Sequence, residues 1–462
     1  MSMRRLFGTD GIRGLANRFP ITPEVALKLG KATAEVFKTD KDQHLILIGK
    51  DTRRSGYMLE NALTAGICSM GVHVLLVGPM PTPAIAHLTK SFAADAGIMI
   101  SASHNPAADN GIKIFARDGS KLPDETEEKI ERVFFQEEIP NQHIIAGALG
   151  RAQRIDDARG RYIEFAKASI GNLSLKGITM VLDCANGGAY CVSPFIFREL
   201  GARVIVIHDD PNGLNINLEC GSEHPEAMRA RTLAEHADVG IAVDGDADRL
   251  VMVDERGEFV DGDMLMAMLA PYLKAQGRLK RDTVVATEMS NGGLEIALRP
   301  SSISVVRTKV GDRYVYDEMI RGDYNFGGEQ SGHIIFREYC ATGDGTIVAL
   351  QVINLMKQTG KPLSELAGVM TRLPQVLINV EVEEKVPFDQ LTVLQETIDH
   401  ANEELKGTGR VNVRYSGTQK VLRIMLEGTS ERLIHTHAQA IADQAQKALA
   451  PAAMKKKGAS TP

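Results

Sequence analysis

Cysteine is scarce and unpatterned in this chain. Cys68, Cys184, Cys191, Cys220 and Cys340 form no C-x-x-C pair and carry no metal-ligand spacing. The first residues lack the apolar run of a signal peptide, so reduced thiols in a cytoplasmic protein are the expectation. No apolar stretch approaches the ~20 residues that span a bilayer. Positive charge is not in excess either. With 53 Lys and Arg against 59 Asp and Glu, the net charge is -6, which gives no case for nucleic acid or membrane binding. An anionic ligand would have to be attracted by local Arg and Lys clusters. No G-x-G-x-x-G follows a strand and no G-x-x-x-x-G-K-[ST] occurs, so dinucleotide and ATP sites have no support.

What is present is an ordinary globular composition, 44% hydrophobic and 24% charged, over 462 residues. That length suggests about three or four domains. One stretch organises the rest. The apolar run Ala96 to Ile100 reads as a buried strand, and Ser101-Ala-Ser103-His104-Asn105-Pro106 marks the loop where it stops, followed by Gly111-Ile-Lys113. Loops at the carboxyl ends of such strands are where ligands usually sit. Ser103 is therefore a candidate nucleophile with His104 beside it, the alternative being an ordinary strand-to-loop turn.

Taken in order, Gly8 to Gly14 packs three glycines and Arg13 into one loop, and Thr22-Pro23 opens a helix with Val25, Leu29, Ala32 and Val36 on one face. Strands at 45–48 and 72–77 alternate with helices around 58–70 and after Pro83. A second pass has strands at 178–182, 204–207 and 239–243, the last ending in Asp244-Gly-Asp246-Ala-Asp248-Arg249. A third contains the strand 284–286 and leads to Gly328-Glu329-Gln-Ser331-Gly-His333. The alternation means mostly parallel sheets covered by helices, in three related α/β domains. Strands at 376–382, 410–414 and 421–426 with helices at 388–406 and 431–449 make a smaller C-terminal α+β domain. The expected boundaries are 1–152, 153–252, 253–370 and 371–450, with a flexible tail at 451–462.

Four stretches carry chemistry. Asp244, Asp246 and Asp248 stand at alternate positions, so in an extended loop their carboxylates point one way. Clustered like charges repel unless a cation sits among them, and hard oxygen donors favour Mg²⁺ or Ca²⁺. An EF-hand fits poorly, because Arg249 stands where a glycine is required. Arg414-Tyr415-Ser416-Gly417-Thr418 suits a phosphate, with a hairpin turn as the alternative. Glu329, Ser331 and His333 could read sugar hydroxyls. Together with Ser103, these suggest phosphoryl transfer to and from a phosphorylated sugar.

These four motifs, in this order, resemble the α-D-phosphohexomutase superfamily over essentially the whole chain. Phe7-Gly-Thr-Asp-Gly-Ile-Arg13-Gly14, Lys309-Val-Gly-Asp-Arg313-Tyr314 and Gln330 are similar to its glucosamine phosphate branch. The resemblance implies four domains around a central cleft, one Mg²⁺ held by Ser103, Asp244, Asp246 and Asp248, and Ser103 carried as a phosphoserine. It implies interconversion of glucosamine 6- and 1-phosphate through glucosamine 1,6-bisphosphate, as a step toward UDP-N-acetylglucosamine and the cell wall. Lys113, His104 and Arg249 would assist catalysis, Arg13, Glu329, Ser331 and His333 would hold substrate, and Arg414, Ser416, Gly417 and Thr418 would clamp the distal phosphate. The partners implied are a sugar phosphate, with a homodimer left open, and neither nucleic acid nor membrane. Alternatives are a phosphomannomutase/phosphoglucomutase with the same mechanism and a regulator that binds phosphosugars without turnover. One departure stands out: the family's clamp reads RPSGTEP, whereas Tyr415, Gln419 and Lys420 replace Pro, Glu and Pro here.

Overall fold

The computed structural model describes residues 6–8, 10–39, 43–140, 144–416 and 420–449. They form two compact units, one comprising Met1–Ser290 and Leu298–Val369, the other Asn291–Ala297 and Met370–Pro462.

The first unit contains three sheets with helices between their strands, as the alternation of apolar runs and capped helical stretches dictates. In the six-stranded sheet the order is Ile12–Leu15, Asp109–Ala116, Ala96–Ile100, Leu45–Lys50, His73–Pro79 and Ala152–Arg154. Leu45–Lys50 runs parallel to both its neighbours, while Asp109–Ala116 returns antiparallel beside Ala96–Ile100. The five-stranded sheet is ordered Phe259–Val260, Leu250–Asp254, Val239–Val243, Thr179–Asp183 and Arg203–Ile207. Its last three strands are parallel, and Leu250–Asp254 returns antiparallel beside Val239–Val243. The four-stranded sheet is ordered Ser304–Thr308, Thr283–Thr287, Phe326–Gly328 and Ile334–Phe336, again with an antiparallel return at the end. The boundaries expected after residues 152 and 252 fall inside the strands Ala152–Arg154 and Leu250–Asp254. In this unit the loops after Ala96–Ile100, Val239–Val243 and Phe326–Gly328 are thus each the turn between a parallel strand and its antiparallel return.

Helix ends follow local rules. The Pro23–Phe37 helix begins as its sequence predicts, with Thr22 Oγ1 accepting from Val25 N at 3.3 Å. Its contact with the Arg54–Ser69 helix is close enough to require glycine: a Cβ on Gly66 would lie 2.1 Å from the Leu27 carbonyl oxygen. No helix among the described residues is long and apolar enough to cross a membrane.

The second unit is an antiparallel sheet ordered Gln375–Glu381, Val421–Gly428, Gly409–Tyr415, with helices Thr392–Glu404 and Glu431–Leu449. Leu422, Ile424 and Leu426 pack in one core with Ile434, Ala438 and Ile441. The predicted helix over 388–406 splits, because Phe388–Gln390 forms a separate 3₁₀ turn and the α-helix starts at Thr392.

One buried carboxyl makes stability depend on pH. Asp344 caps the Gly345–Thr359 helix through Ile347 N at 2.9 Å and accepts from the Tyr162 hydroxyl at 2.9 Å. Burial pushes its pKa up to about 6, against the pull of those two donors. A carboxyl raised in the fold contributes proton-linked stability that is complete below about 3.9 and is lost as pH rises through about 6. Asp344→Asn keeps a cap and stays neutral. Its melting temperature should therefore gain on the wild type between pH 4 and pH 8, by the equivalent of about 3 kcal/mol at most. A difference that does not change with pH would show that Asp344 is not the titrating group.

Candidate active site

The Ser103 loop is held from outside itself. Ser103, only 1% exposed, adopts φ +52°, a left-handed conformation that costs a non-glycine residue energy and persists only where the surroundings impose it. Its N–H donates to Ser101 Oγ at 2.9 Å, and Ser101 Oγ donates to Asp51 Oδ2 at 2.7 Å. Arg53, fully buried, donates through Nε to Asp51 Oδ2 at 2.8 Å. Its Nη2 donates to the carbonyls of Ser103 at 2.9 Å and Asn105 at 2.8 Å, and its Nη1 to those of Asp109 at 3.0 Å and Pro106. Asn217 Nδ2 grips the same Ser103 carbonyl at 2.8 Å. A rigid guanidinium fork that turns four carbonyls inward fixes where the serine side chain goes. Ser103 Oγ donates to Asp244 Oδ2 at 2.6 Å and lies 3.2 Å from His104 Nδ1.

Asp244, Asp246 and Asp248 converge as the sequence suggests but through a turn, not an extended loop: Ala247 N donates to the Asp244 carbonyl at 3.0 Å and Ala247 has φ +56°. Each carboxylate offers one oxygen within 4.8 Å of the others, and all three are buried. Burial, then Asp248 and Asp246, push the Asp244 carboxyl well above its usual value. Among the described residues, Asp246 Oδ1 and Asp248 Oδ1 are buried without a hydrogen-bond donor. Orphaned hard oxygens beside a strained carboxyl are what a divalent oxygen-preferring cation would satisfy, so this donor set fits Mg²⁺.

Cations surround the triad. Lys113, on the return strand Asp109–Ala116, places Nζ 2.9 Å from Asp246 Oδ2, 3.3 Å from Asp248 Oδ2 and 3.3 Å from Asp10 Oδ2. Burial opposes its charge, but Asp10, Asp246 and Asp248 hold the ammonium well above its usual pKa. In this arrangement the charged ammonium is the favoured form. Arg249 N donates to Asp244 Oδ1 at 3.2 Å, and its guanidinium lies 3.7 Å from Glu223. His104 is opposite in sense: burial first, then Arg249, lower it below the usual 6.5.

Arg13, Ser103, Asp248, Arg249, Glu329 and His333 line one cavity of about 410 Å³. Glu329 Oε1 accepts from Gly311 N at 3.0 Å and Oε2 from Ser331 Oγ at 3.4 Å. His333 Nε2 accepts from Gly343 N at 2.9 Å, which leaves the proton on Nδ1, 3.6 Å from Asp248 Oδ1.

Sequence reasoning missed several members. Asp10 bridges Arg13, Lys113 and Lys121, the last at 2.6 Å, and Lys121 reaches Asp312. These cations outweigh burial and hold Asp10 well below the carboxylate range. Asp51, Arg53 and Asn217 were missed as well. The Asp51-Thr-Arg53 turn at the end of a strand was the available signal for two of them.

In the second unit, Arg414 lies on the Gly409–Tyr415 strand, and Ser416 follows, with its N–H on the Val421 carbonyl at 2.8 Å and its carbonyl on Lys385 Nζ at 2.6 Å. Tyr415 is anchored where the family has proline: its hydroxyl donates to the Val386 carbonyl at 2.7 Å and its ring stacks on Phe388 at 5.3 Å. Gly417, Thr418 and Gln419 lie outside the described residues.

Residues 4–140, 160–257, 261–373 and 377–444 match domains I, II and III and the C-terminal domain of the phosphoglucomutase/phosphomannomutase family. The chain belongs to that family and is an isomerase of the phosphohexomutase class. Within the class, several similar relatives are phosphoglucosamine mutases: one from Geobacter sp. (strain M21) is 56% identical over 95% of this chain and 97% of its own. Another, from Syntrophotalea carbinolica, is 56% identical with the same coverage. A crystal structure of a phosphoglucomutase/phosphomannomutase family protein from Burkholderia thailandensis shares the fold, with TM-score 0.78 at 20% identity, covering 96% of this chain and 97% of that one.

Asn217→Ala removes two hydrogen bonds to the Ser103 loop without leaving a buried charge. Because small misplacements of reacting groups are costly, turnover should fall about tenfold or more with KM little changed. Steady-state kinetics would show this, and an unaltered rate would mean that Arg53 alone suffices.

Proposed function

We propose that the enzyme interconverts glucosamine 6-phosphate and glucosamine 1-phosphate through Ser103. The observation that carries this reading is Ser103 Oγ itself, held by a buried fork, 2.6 Å from the carboxylate triad and lining the cavity. Asp244, Asp246 and Asp248 would hold Mg²⁺ together with the Ser103 phosphate. Bound there, the ion supplies charge neutralisation at the phosphoryl oxygens.

With phosphate on Ser103, the free hydroxyl of the bound sugar phosphate attacks phosphorus. The new sugar O–P bond forms as the P–Oγ bond breaks, which gives glucosamine 1,6-bisphosphate and free serine. His104, kept neutral by burial and Arg249, is placed to take the hydroxyl proton and return it to Oγ. Lys113 presents its ammonium beside Asp246 and Asp248 and stabilises the transferring group. Turned end for end, the bisphosphate returns its other phosphate to Ser103 by the same step reversed. Glu329, Ser331 and His333 offer hydrogen bonds to the sugar, and the His333 ring also lies beside Asp248, with Nδ1 3.6 Å from Asp248 Oδ1. Arg13 and Arg249 favour an anionic ligand, and Arg414, Ser416, Gly417 and Thr418 are suited to the phosphate that is not in transfer.

Ser103→Ala should abolish turnover, below about 10⁻³ of the wild-type rate, while sugar phosphate binding persists in calorimetry. Normal activity in that variant would remove Ser103 from the mechanism. Peptide mass spectrometry of protein treated with glucosamine 1,6-bisphosphate should place the phosphate on Ser103. Among glucosamine, glucose and mannose phosphates, the highest kcat/KM should belong to glucosamine, and a preference for mannose would overturn the sugar assignment.

A further inference from the structure

Away from the Ser103 cavity, two more groups of metal-ligating side chains converge among the described residues. The first, Asp183, His208 and Cys220, is closed by the protein itself. Asp183 accepts from Ala185 N at 2.8 Å, Gly221 N at 3.1 Å and His208 Nδ1 at 2.9 Å. Burial pushes the Cys220 thiol up to about 12, so it presents no thiolate. That group is a structural clasp.

The second lies in the second unit and is open. His400 and Glu404 are four residues apart on the Thr392–Glu404 helix and so share one face. His437 comes from the Glu431–Leu449 helix packed beside it. One donor atom from each lies within 4.8 Å of the others. His437 Nε2 is 2.8 Å from Glu404 Oε2, and the His400 and His437 rings are 5.7 Å apart by their centroids. His437 is 8% exposed, whereas His400 and Glu404 face solvent.

We propose that His400, Glu404 and His437 form a binding site for a divalent transition-metal ion of the zinc class. Two imidazoles and one carboxylate are a zinc ligand set, three protein donors with the fourth position left to water. Donors about 2.0–2.1 Å from such an ion sit about 3.3 Å apart in a tetrahedron, so small side-chain rotations close the present arrangement around it. Nitrogen donors also separate this site from the all-oxygen triad, which suits Mg²⁺. A hydrogen-bonded pair of Glu404 and His437 would not involve His400. The third donor, one helical turn away and facing the same point, is what the pair alone leaves unexplained. The ion would tie the two helices together along their exposed seam.

The test is calorimetric titration of the metal-free full-length protein with Zn²⁺ in excess Mg²⁺. One Zn²⁺ site is expected that His400→Ala and His437→Gln each weaken at least about tenfold and that Asp246→Asn leaves in place. His437 is nearly buried, so the exposed His400→Ala carries the decision if His437→Gln fails to fold. Wild-type Zn²⁺ affinity in His400→Ala would overturn the proposal. So would loss of the site only in Asp246→Asn, which would put the zinc on the triad.

Discussion

Charge that cannot reach water is the constraint on which the catalytic unit depends. Asp244, Asp246 and Asp248 are at most 4% exposed, and Asp51 is fully buried. Burying a lone ion costs several kcal/mol even after relaxation, so each carboxylate needs a partner delivered by a different segment. Lys113 arrives on a strand whose register pairs it with Met99, Arg53 on the turn after Leu45–Lys50, and His333 on the loop before Ile334–Phe336. A one-residue slip of the Lys113 strand would turn its ammonium to the opposite face of the sheet and leave the triad uncompensated. The electrostatics of the site thus fix strand register as firmly as apolar packing does.

The three sheets solve this requirement with one device. In each, a parallel strand ends in a functional loop and the chain comes straight back as an antiparallel neighbour. The return strand closes the loop at its base, so the loop is short and both ends are hydrogen-bonded. The backbone can then be held in costly conformations, as at Ser103 and Ala247. In the first sheet the return strand also carries a functional group of its own, Lys113.

Much of this was legible in the sequence, and the reason is local. Ser103, Lys113 and the three aspartates sit in compact clusters of small or charged residues at strand ends, and strands such as Ala96–Ile100 and Val239–Val243 are unbroken apolar runs. What was not legible is what depends on distant segments meeting. Arg53 looks like a surface cation until its guanidinium is seen on four carbonyls fifty or more residues away. Asp10, Lys121 and Asp312 likewise pair across long separations. The return strand Asp109–Ala116 escaped because Asn110, Gly111 and Lys113 interrupt its apolar pattern, although all three are buried. Tyr415 shows the converse: a departure from the family's proline suggests a looser loop, yet stacking and a hydrogen bond anchor it.

The second unit borrows from the middle of the chain. Glu427, fully buried, is shared by Arg410, by Gly292 N at 2.7 Å and by Asn291 Nδ2 at 3.3 Å. Asn291 also ties to Leu373 through two hydrogen bonds, at 3.1 Å and 2.9 Å. The domain that sequence likeness outlines, 377–444, is therefore smaller than the body that packs. A fragment beginning at Met370 would carry Glu427 stripped of two of its three donors. The C-terminal unit is consequently not a module that recombination could hand on intact, since part of its wall is encoded some eighty residues upstream of the rest.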